Sequence, residues 1–417
     1  MTTAKTFAAT LALLLAGGAV TLAPPALARE KKAAEAPKGP KLSPGVQKAL
    51  IAAQTAQKAG DNATALTQIR AAEAEANRTP DDNFYINNIK IGVAQATKDD
   101  ALLREGLEQA LATNLATPEQ TISFTRALAG LAIKAKDYQA GEKYYARLAQ
   151  LQPNDTEVVT DLALIYVRNR RVPEAMTTLK QAIAATQASG KKPDEGLYGT
   201  KLKLAYDNKL TSEINPAAED LVKAYPSGKN WEAAIDTFRF NSKMDEQGEL
   251  DTYRLQRAAG GLTGQGQYLD YANVAQQRGL PAEAKAVLDE GVAKKVIDTS
   301  KPSYLDIRRI LPATKIAADR ASLPSLERQA NSSPTGRLSR ATADGYLSHA
   351  EYAKAAALYK QALSKGGENA DLVNTRLGFA LAMSGDKAGA EAAFKAVTTP
   401  PRATLAQYWL IWSGQRA

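Results

Sequence analysis

Cysteine is absent from the 417 residues and histidine occurs once. Without a thiol the chain has no disulfide, no thiolate zinc or iron–sulfur site, no cysteine nucleophile and no cysteine to carry a lipid. A single imidazole excludes a multi-histidine metal centre, and any Ser–His–Asp arrangement would have to use His349. That residue stands in the run Tyr346 to Tyr352, which reads as an exposed turn between two helical stretches. Aromatics are scarce, with 3 Trp, 16 Tyr and 7 Phe. Alanine, by contrast, fills about a fifth of the chain, which favours closely packed helices over strands.

Long apolar runs are missing beyond the first twenty residues. Lys5, the run from Phe7 to Val20 and the small-residue site Ala26-Leu27-Ala28 read as a secretory signal, residues 1–28, with cleavage expected after Ala28. The run is too short for a spanning helix, which needs about 20 apolar residues. The reading is therefore export to the periplasm with no stable membrane insertion. Residues 29–45 are charged and rich in Pro and Gly, a linker with too little apolar surface to fold.

The net charge of +9 is unevenly spread. Lys5 carries one of these charges and residues 29–41 a net three, so the rest of the chain holds a weak surplus of five. Spread so thinly, it builds no field for nucleic acid, and the clusters Arg168 to Arg171 and Arg308-Arg309 read as solvated helix ends.

From Val46 onward the dominant signal is repetition. In residues 156–189, Val159, Leu162, Ala163 and Tyr166 recur with helical spacing, Arg170 to Pro173 break the run, and Ala175, Leu179, Ala182 and Ile183 resume it. This is a helix-turn-helix of 34 residues. Units at 122–155, 336–369 and 371–404 repeat it, and others start near 46, 84, 195 and 265. The intervals 230–264 and 300–335 have the right length for degenerate units, so about ten hairpins are expected. The Gly-rich segment Gly260 to Gly266 is the expected hinge, dividing an N-terminal solenoid, 46–260, from a C-terminal one, 261–417; Pro312 to Pro334 is a second weak point. Leu405, Tyr408, Trp409 and Trp412 share one helical face and read as a C-terminal capping helix, which the last repeat of a stack requires.

Several residues recur at fixed places in these units. They are the small residues Ala163, Ala343 and Gly378, the turns Gly60-Asp61, Asp137-Tyr138 and Gly385-Asp386, and Ala65, Ala175, Ala355 and Ala390 at the start of the second helix. To these add Ile69, Leu179, Tyr359 and Phe394 four residues on, and Pro153 at a repeat end. In this the chain resembles the tetratricopeptide repeat family. The resemblance implies an all-α, right-handed α-solenoid whose first helices line a concave groove for an extended or helical peptide. Placed by repeat position, the groove-facing candidates are Tyr85, Asn88, Arg126, Lys134, Thr160, Arg168, Arg337 and Arg340.

The sequence offers no catalytic, cofactor-binding or metal-binding residues. The Gly run matches no phosphate-binding pattern, and the pairs Asp81-Asp82 and Asp99-Asp100 belong at helix starts. The reading is a non-enzymatic periplasmic scaffold for an envelope protein or peptide. Arg126, Lys134 and Arg168 favour an acidic partner. The rival readings are a glycan-binding or polysaccharide-export accessory using Trp231, Phe238, Phe240, Tyr253, Tyr268 and Tyr271, and an envelope enzyme on an α-superhelix. Core packing accounts better for the six aromatics, and no stretch is left over for a catalytic domain.

Overall fold

A computed structural model describes residues 41–416; the signal-like segment and most of the linker lie outside them. Among the described residues there are 21 α-helices and no strand. The described residues divide into two compact units, one ending at Pro153 and the other beginning at Asn154.

The first unit holds α1 (Pro44–Lys58), α2 (Asn62–Ala74), α3 (Pro80–Thr97), α4 (Asp100–Ala112), α5 (Pro118–Lys134) and α6 (Tyr138–Leu151), three antiparallel pairs. Their starts are written locally. Pro occupies the first turn of α1, α3 and α5, where its missing N–H costs nothing. Thr79 and Thr117 form reciprocal capping boxes with Asp82 and Gln120. Asp61, Asp99 and Asp137 cap α2, α4 and α6. Helix α1 begins at Pro44, inside the expected linker, because Ser43 is tied to the buried carboxylate of Asp82 through its backbone N–H (2.8 Å) and its hydroxyl (2.6 Å). Val46, Leu50, Ala53, Ile69, Ile86, Ile89 and Val93 form the core of the first two pairs.

The second unit continues the pairing with α7 (Thr156–Arg168), α8 (Val172–Ala188), α9 (Glu195–Asp207), α10 (Thr211–Ala224), α11 (Gly228–Asn241), α12 (Glu246–Ala258), α13 (Gln265–Gln277) and α14 (Pro281–Ala293). It then runs through α15 (Pro302–Arg309), α16 (Ala313–Ser332), α17 (Arg337–Ser348), α18 (Tyr352–Lys365), α19 (Ala370–Ser384), α20 (Lys387–Lys395) and the unpaired α21 (Arg402–Gly414). Both degenerate intervals are helical. The α15–α16 pair is the irregular one, since α15 has eight residues and none buried, while α16 contains Pro324 and buries only Leu323 and Ala330.

The small residues do what close helix approach demands: Ala163 and Ala343 are fully buried, and a Cβ on Gly378 would stand 2.5 Å from the Phe394 ring. The glycines at 260–266 serve packing too. Gly260 closes α12 with a φ of +74°, a Cβ on Gly228 would meet its carbonyl oxygen at 2.5 Å, and a Cβ on Gly261 would meet the backbone N of Glu232 at 2.9 Å. Gln267 braces the loop by donating to Glu232 (2.8 Å) and Asp236 (3.1 Å). The segment expected to be a hinge thus lies inside the second unit, held against α11.

Helix α21 does more than cover the last pair. Trp409 stacks on Phe394 of α20 with ring centroids 5.5 Å apart and meets Phe379 of α19 at 5.2 Å. On its other side Tyr408 lies 5.6 Å from Phe238 and 6.3 Å from Trp231 of α11. Trp412 donates its indole N–H to the Ala258 carbonyl of α12 (3.1 Å), and Gln415 donates to the Val222 carbonyl of α10 (2.8 Å). The second unit is therefore closed on itself through its last helix.

Candidate functional site

The closure of the second unit centres on a cluster of buried charge that draws charged side chains from five helices. Asp251 (α12) accepts from Arg254 of its own helix (2.9 Å), Arg376 of α19 (3.0 Å) and Arg402 of α21 (2.9 Å). Arg254 grips Glu283 of α14 with two bonds, 2.8 and 2.7 Å. Arg376 reaches Asp344 of α17 at 2.8 Å and the Gln247 side chain at 2.6 Å. The tyrosine hydroxyls of Tyr271 and Tyr359 donate to Glu283 and Asp344. Three carboxylates and three guanidinium groups balance in charge, and Asp251, Arg254 and Arg376 are each no more than 2 % exposed.

Burial alone would raise the carboxyl of Asp251, but Arg376, Arg254 and Arg402 outweigh it and hold the group below the ordinary carboxylate range. Glu283 is likewise pushed up by burial and brought below its usual value by Arg254 and Tyr271. Burial, reinforced by the adjacent carboxylates, drives the Tyr271 and Tyr359 hydroxyls well above theirs. Every charged member has its partners within the protein, so the cluster joins distant helices and presents no poised acid or base to a substrate.

A smaller buried charge marks the first unit. Lys90 of α3 is 2 % exposed and its ammonium meets Glu105 (2.8 Å) on α4 and Glu73 on α2. Among the described residues no three metal-ligating side chains are grouped to hold an ion, and no helix is long and apolar enough to cross a membrane. A cleft of about 580 Å³ opens where the N-terminal ends of α12, α19 and α21 approach one another, lined by Lys243, Asp245, Asn369, Asp371, Thr399 and Arg402. Its carboxylates are occupied: Asp245 caps α12 and bonds Arg402, and Asp371 accepts the backbone N–H groups of Thr398 and Thr399.

The groove candidates fall into different settings. In the first unit Tyr85 is half-buried against the Phe84 ring (5.7 Å), and the Asn88 amide donates to its own helix at the Phe84 carbonyl. Arg126 is exposed and donates to Gln152 (2.7 Å), while Lys134 pairs with Asp100. In the second unit Thr160 is half-buried, and Arg168 and Arg337 are exposed. Arg340 is engaged on both sides, by Glu368 (2.6 Å) and Asp344 (2.7 Å), as an outer member of the buried cluster.

Two expectations change. His349 is at the turn after α17, but it is not exposed: its Nε2 lies 2.7 Å from Asp319 of α16 and the side chain is 11 % exposed. Of the six central aromatics five are core, whereas Phe240 is 78 % exposed because it stands on the side of α11 away from Phe238 and the α21 contact. The buried ion cluster was not anticipated. Its one sequence signal is an arginine, Arg376, set among Leu372, Val373, Leu377 and Phe379, a position a packed helix seldom gives to a cation without a partner.

Residues 132–190 match a family model described as tetratricopeptide repeat. A search of curated proteins found no match. Among solved structures the chain is similar to a tetratricopeptide repeat protein from Parabacteroides merdae (13 % identity, 81 % of this chain and 100 % of that one, TM-score 0.30). It is also similar to PilF of Pseudomonas aeruginosa (12 %, 56 % and 91 %, 0.27) and to the P58(IPK) TPR domain (11 %, 89 % and 99 %, 0.24). At these scores the superpositions add nothing to the fold described above.

Proposed function

We propose that this tetratricopeptide repeat protein is a non-enzymatic scaffold of the periplasm that binds an envelope protein or peptide through the exposed faces of its first helices. The observation that carries the reading is the architecture: nine packed helix pairs, interrupted at α15 and α16, with family-matching sequence at 132–190, and buried charges whose partners all lie within the protein. Periplasmic location rests on the signal-like segment 1–28. An acidic partner rests on the exposed basic residues among the groove candidates, Arg168 and Arg337 foremost, since Lys134 and Arg340 already have carboxylates beside them. Long-range attraction from such groups steers and orients a partner, and most affinity comes from apolar contacts. The glycan reading loses its surface, because Trp231, Phe238, Tyr253, Tyr268 and Tyr271 are core residues.

Affinity capture from envelope extract with the tagged mature chain tests this. A specific, saturable protein partner supports the scaffold reading. Retention of polysaccharide in place of protein, or turnover of an envelope substrate by the purified chain, would replace it.

A further inference from the structure

Helices α15 and α16 are the least buried part of the second unit. No side chain of α15 is buried, and the twenty residues of α16 bury only Leu323 and Ala330, whereas the fifteen of α19 bury nine. Between the two helices Leu311 is buried and joins the core of α13 and α14, with Tyr304 and Ile307 half-buried beside it. Leu323 rests on the bare backbone of Gly345 in α17, where a Cβ would stand 2.6 Å from its methyl group. Pro324 has no N–H to offer, so the Arg320 carbonyl one turn earlier lacks its partner within α16.

The segment is anchored at both ends. Ahead of α15, Asp298 donates its N–H to Gln265 (2.8 Å). At the end of α16, Lys365 of α18 donates to the carbonyls of Ala330, Asn331 and Ser333 (2.7, 3.0 and 2.8 Å), and the Gly336 N–H meets the Gly366 carbonyl (2.8 Å).

Between the anchors the ties are polar and partly exposed. Asp319 lies 2.7 Å from the His349 Nε2, Arg320 pairs with Glu351, and Glu327 accepts from the Tyr346 hydroxyl (2.6 Å). Breaking them strands no buried charge. Lys354 stays with Glu351 (3.1 Å) and over the Tyr346 ring (5.0 Å), while Asp319, Arg320 and Glu327 carry their charges into water. Ion pairs of this kind contribute little and weaken as salt rises. The sealed pairs around Asp251 are the opposite case, since none of them can open without leaving a charge in the core.

We infer that residues 302–327 form a strap, fastened by these three ties, that opens as one body between its anchors while the rest of the second unit stays folded. Opening uncovers the Tyr346 side of α17, a face that is 1 % exposed at Tyr346 when the strap is closed. This inference stands whether or not the chain is a scaffold.

Because the chain has no cysteine, one introduced thiol reports the opening. Leu311→Cys and Leu323→Cys place it beneath the strap, and Val373→Cys, fully buried in α19, is the control. Each variant is treated with a thiol-reactive disulfide reagent at low salt and in about 1 M sodium chloride. Both strap thiols are expected to react more than about tenfold faster than the control and to gain about three- to tenfold more in high salt. Hydrogen exchange of the wild-type chain, read by mass spectrometry, is independent of the substitutions. Amides of α15 and of α16 as far as Glu327 should exchange together and ahead of those of α17 to α19. Arg320→Gln/Glu327→Gln should raise low-salt opening to the high-salt level and remove most of the salt effect.

Strap amides as protected as those of α19, or strap thiols no faster than the control, overturn the inference. Different salt dependence of the Leu311→Cys and Leu323→Cys thiols overturns it too, because the two helices then move separately. Opening indifferent both to salt and to the double variant removes the charged ties as the fastening, and the strap with them.

Discussion

Arg376 is the residue through which the middle of the second unit, at α12, is joined to its C-terminal helices α17 and α19. Its guanidinium bonds Asp251, 125 residues away in sequence, and Asp344, 32 residues away. Arg376→Met removes one of three cations from a set balanced against three carboxylates, so a net negative charge is left in a site where Asp251 is 2 % exposed. Removing one partner of a buried ion pair costs about 3–5 kcal/mol, and the remaining bonds from Arg254 and Arg402 to Asp251 place this change toward the lower figure. Asp251→Leu/Arg376→Met restores the balance: Arg254 retains Glu283, Arg402 retains Asp245, and Asp344 retains Arg340 and Tyr359. The double variant should therefore be more stable than Arg376→Met alone.

Urea unfolding followed by tryptophan fluorescence isolates the effect, because Trp231, Trp409 and Trp412 all lie in the second unit. The same cluster sets a pH dependence. The folded-state carboxyls of Asp251 and Glu283 sit below their ordinary values, so their contribution is full above about pH 5 and is lost as pH falls through the folded-state values. Wild type should lose stability steeply below about pH 4, and the double variant less so. A cost under about 1 kcal/mol for Arg376→Met, or a double variant whose cost is the sum of the two singles, would refute the view that charge balance governs this core.

Trp409→Ala, which empties a fully buried site between α20 and α19, should cost about 3–5 kcal/mol in the same assay and leave the far-ultraviolet signal of the first unit unchanged. Gly378→Ala forces a Cβ against the Phe394 ring and should cost about 1–3 kcal/mol, read as a lower melting temperature. Limited proteolysis within the second unit should cut first between 298 and 322, where α15 buries nothing, and later in the braced loop Gly260 to Gly266; the reverse order would restore the hinge. Tyr144, pushed up to about 12 by burial and by its bond to Glu108, favours the folded first unit below about pH 10 and loses that contribution as pH rises toward 12. Tyr144→Phe should flatten alkaline unfolding followed by circular dichroism. Intact mass of the exported protein should begin at Arg29, and recovery of the uncleaved chain in membranes would count against export through a cleavable signal.

Much of this molecule is legible in the sequence, because its rules are local. Helical spacing at Val159, Leu162 and Ala163, a break at Arg170 to Pro173 and resumption at Ala175 specify one pair, and repetition of that unit specifies ten. Caps such as Thr79, Asp137 and Asn369, and small residues such as Gly378, act within one helix or between adjacent ones, where the pattern itself carries the geometry. The aromatic face of α21 identified a helix that must be covered. What covers its far side, however, is α10 to α12, about 150 to 190 residues upstream.

The tertiary structure alone decided the closure of the second unit, the meeting of Asp251 with Arg376 and Arg402, and the exposure of Phe240 two residues from the buried Phe238. Each depends on small rotations accumulated from pair to pair, which nearest-neighbour patterns leave open. The same apolar or charged residue is therefore written identically in sequence whether the stack later brings a partner against it or leaves it in water.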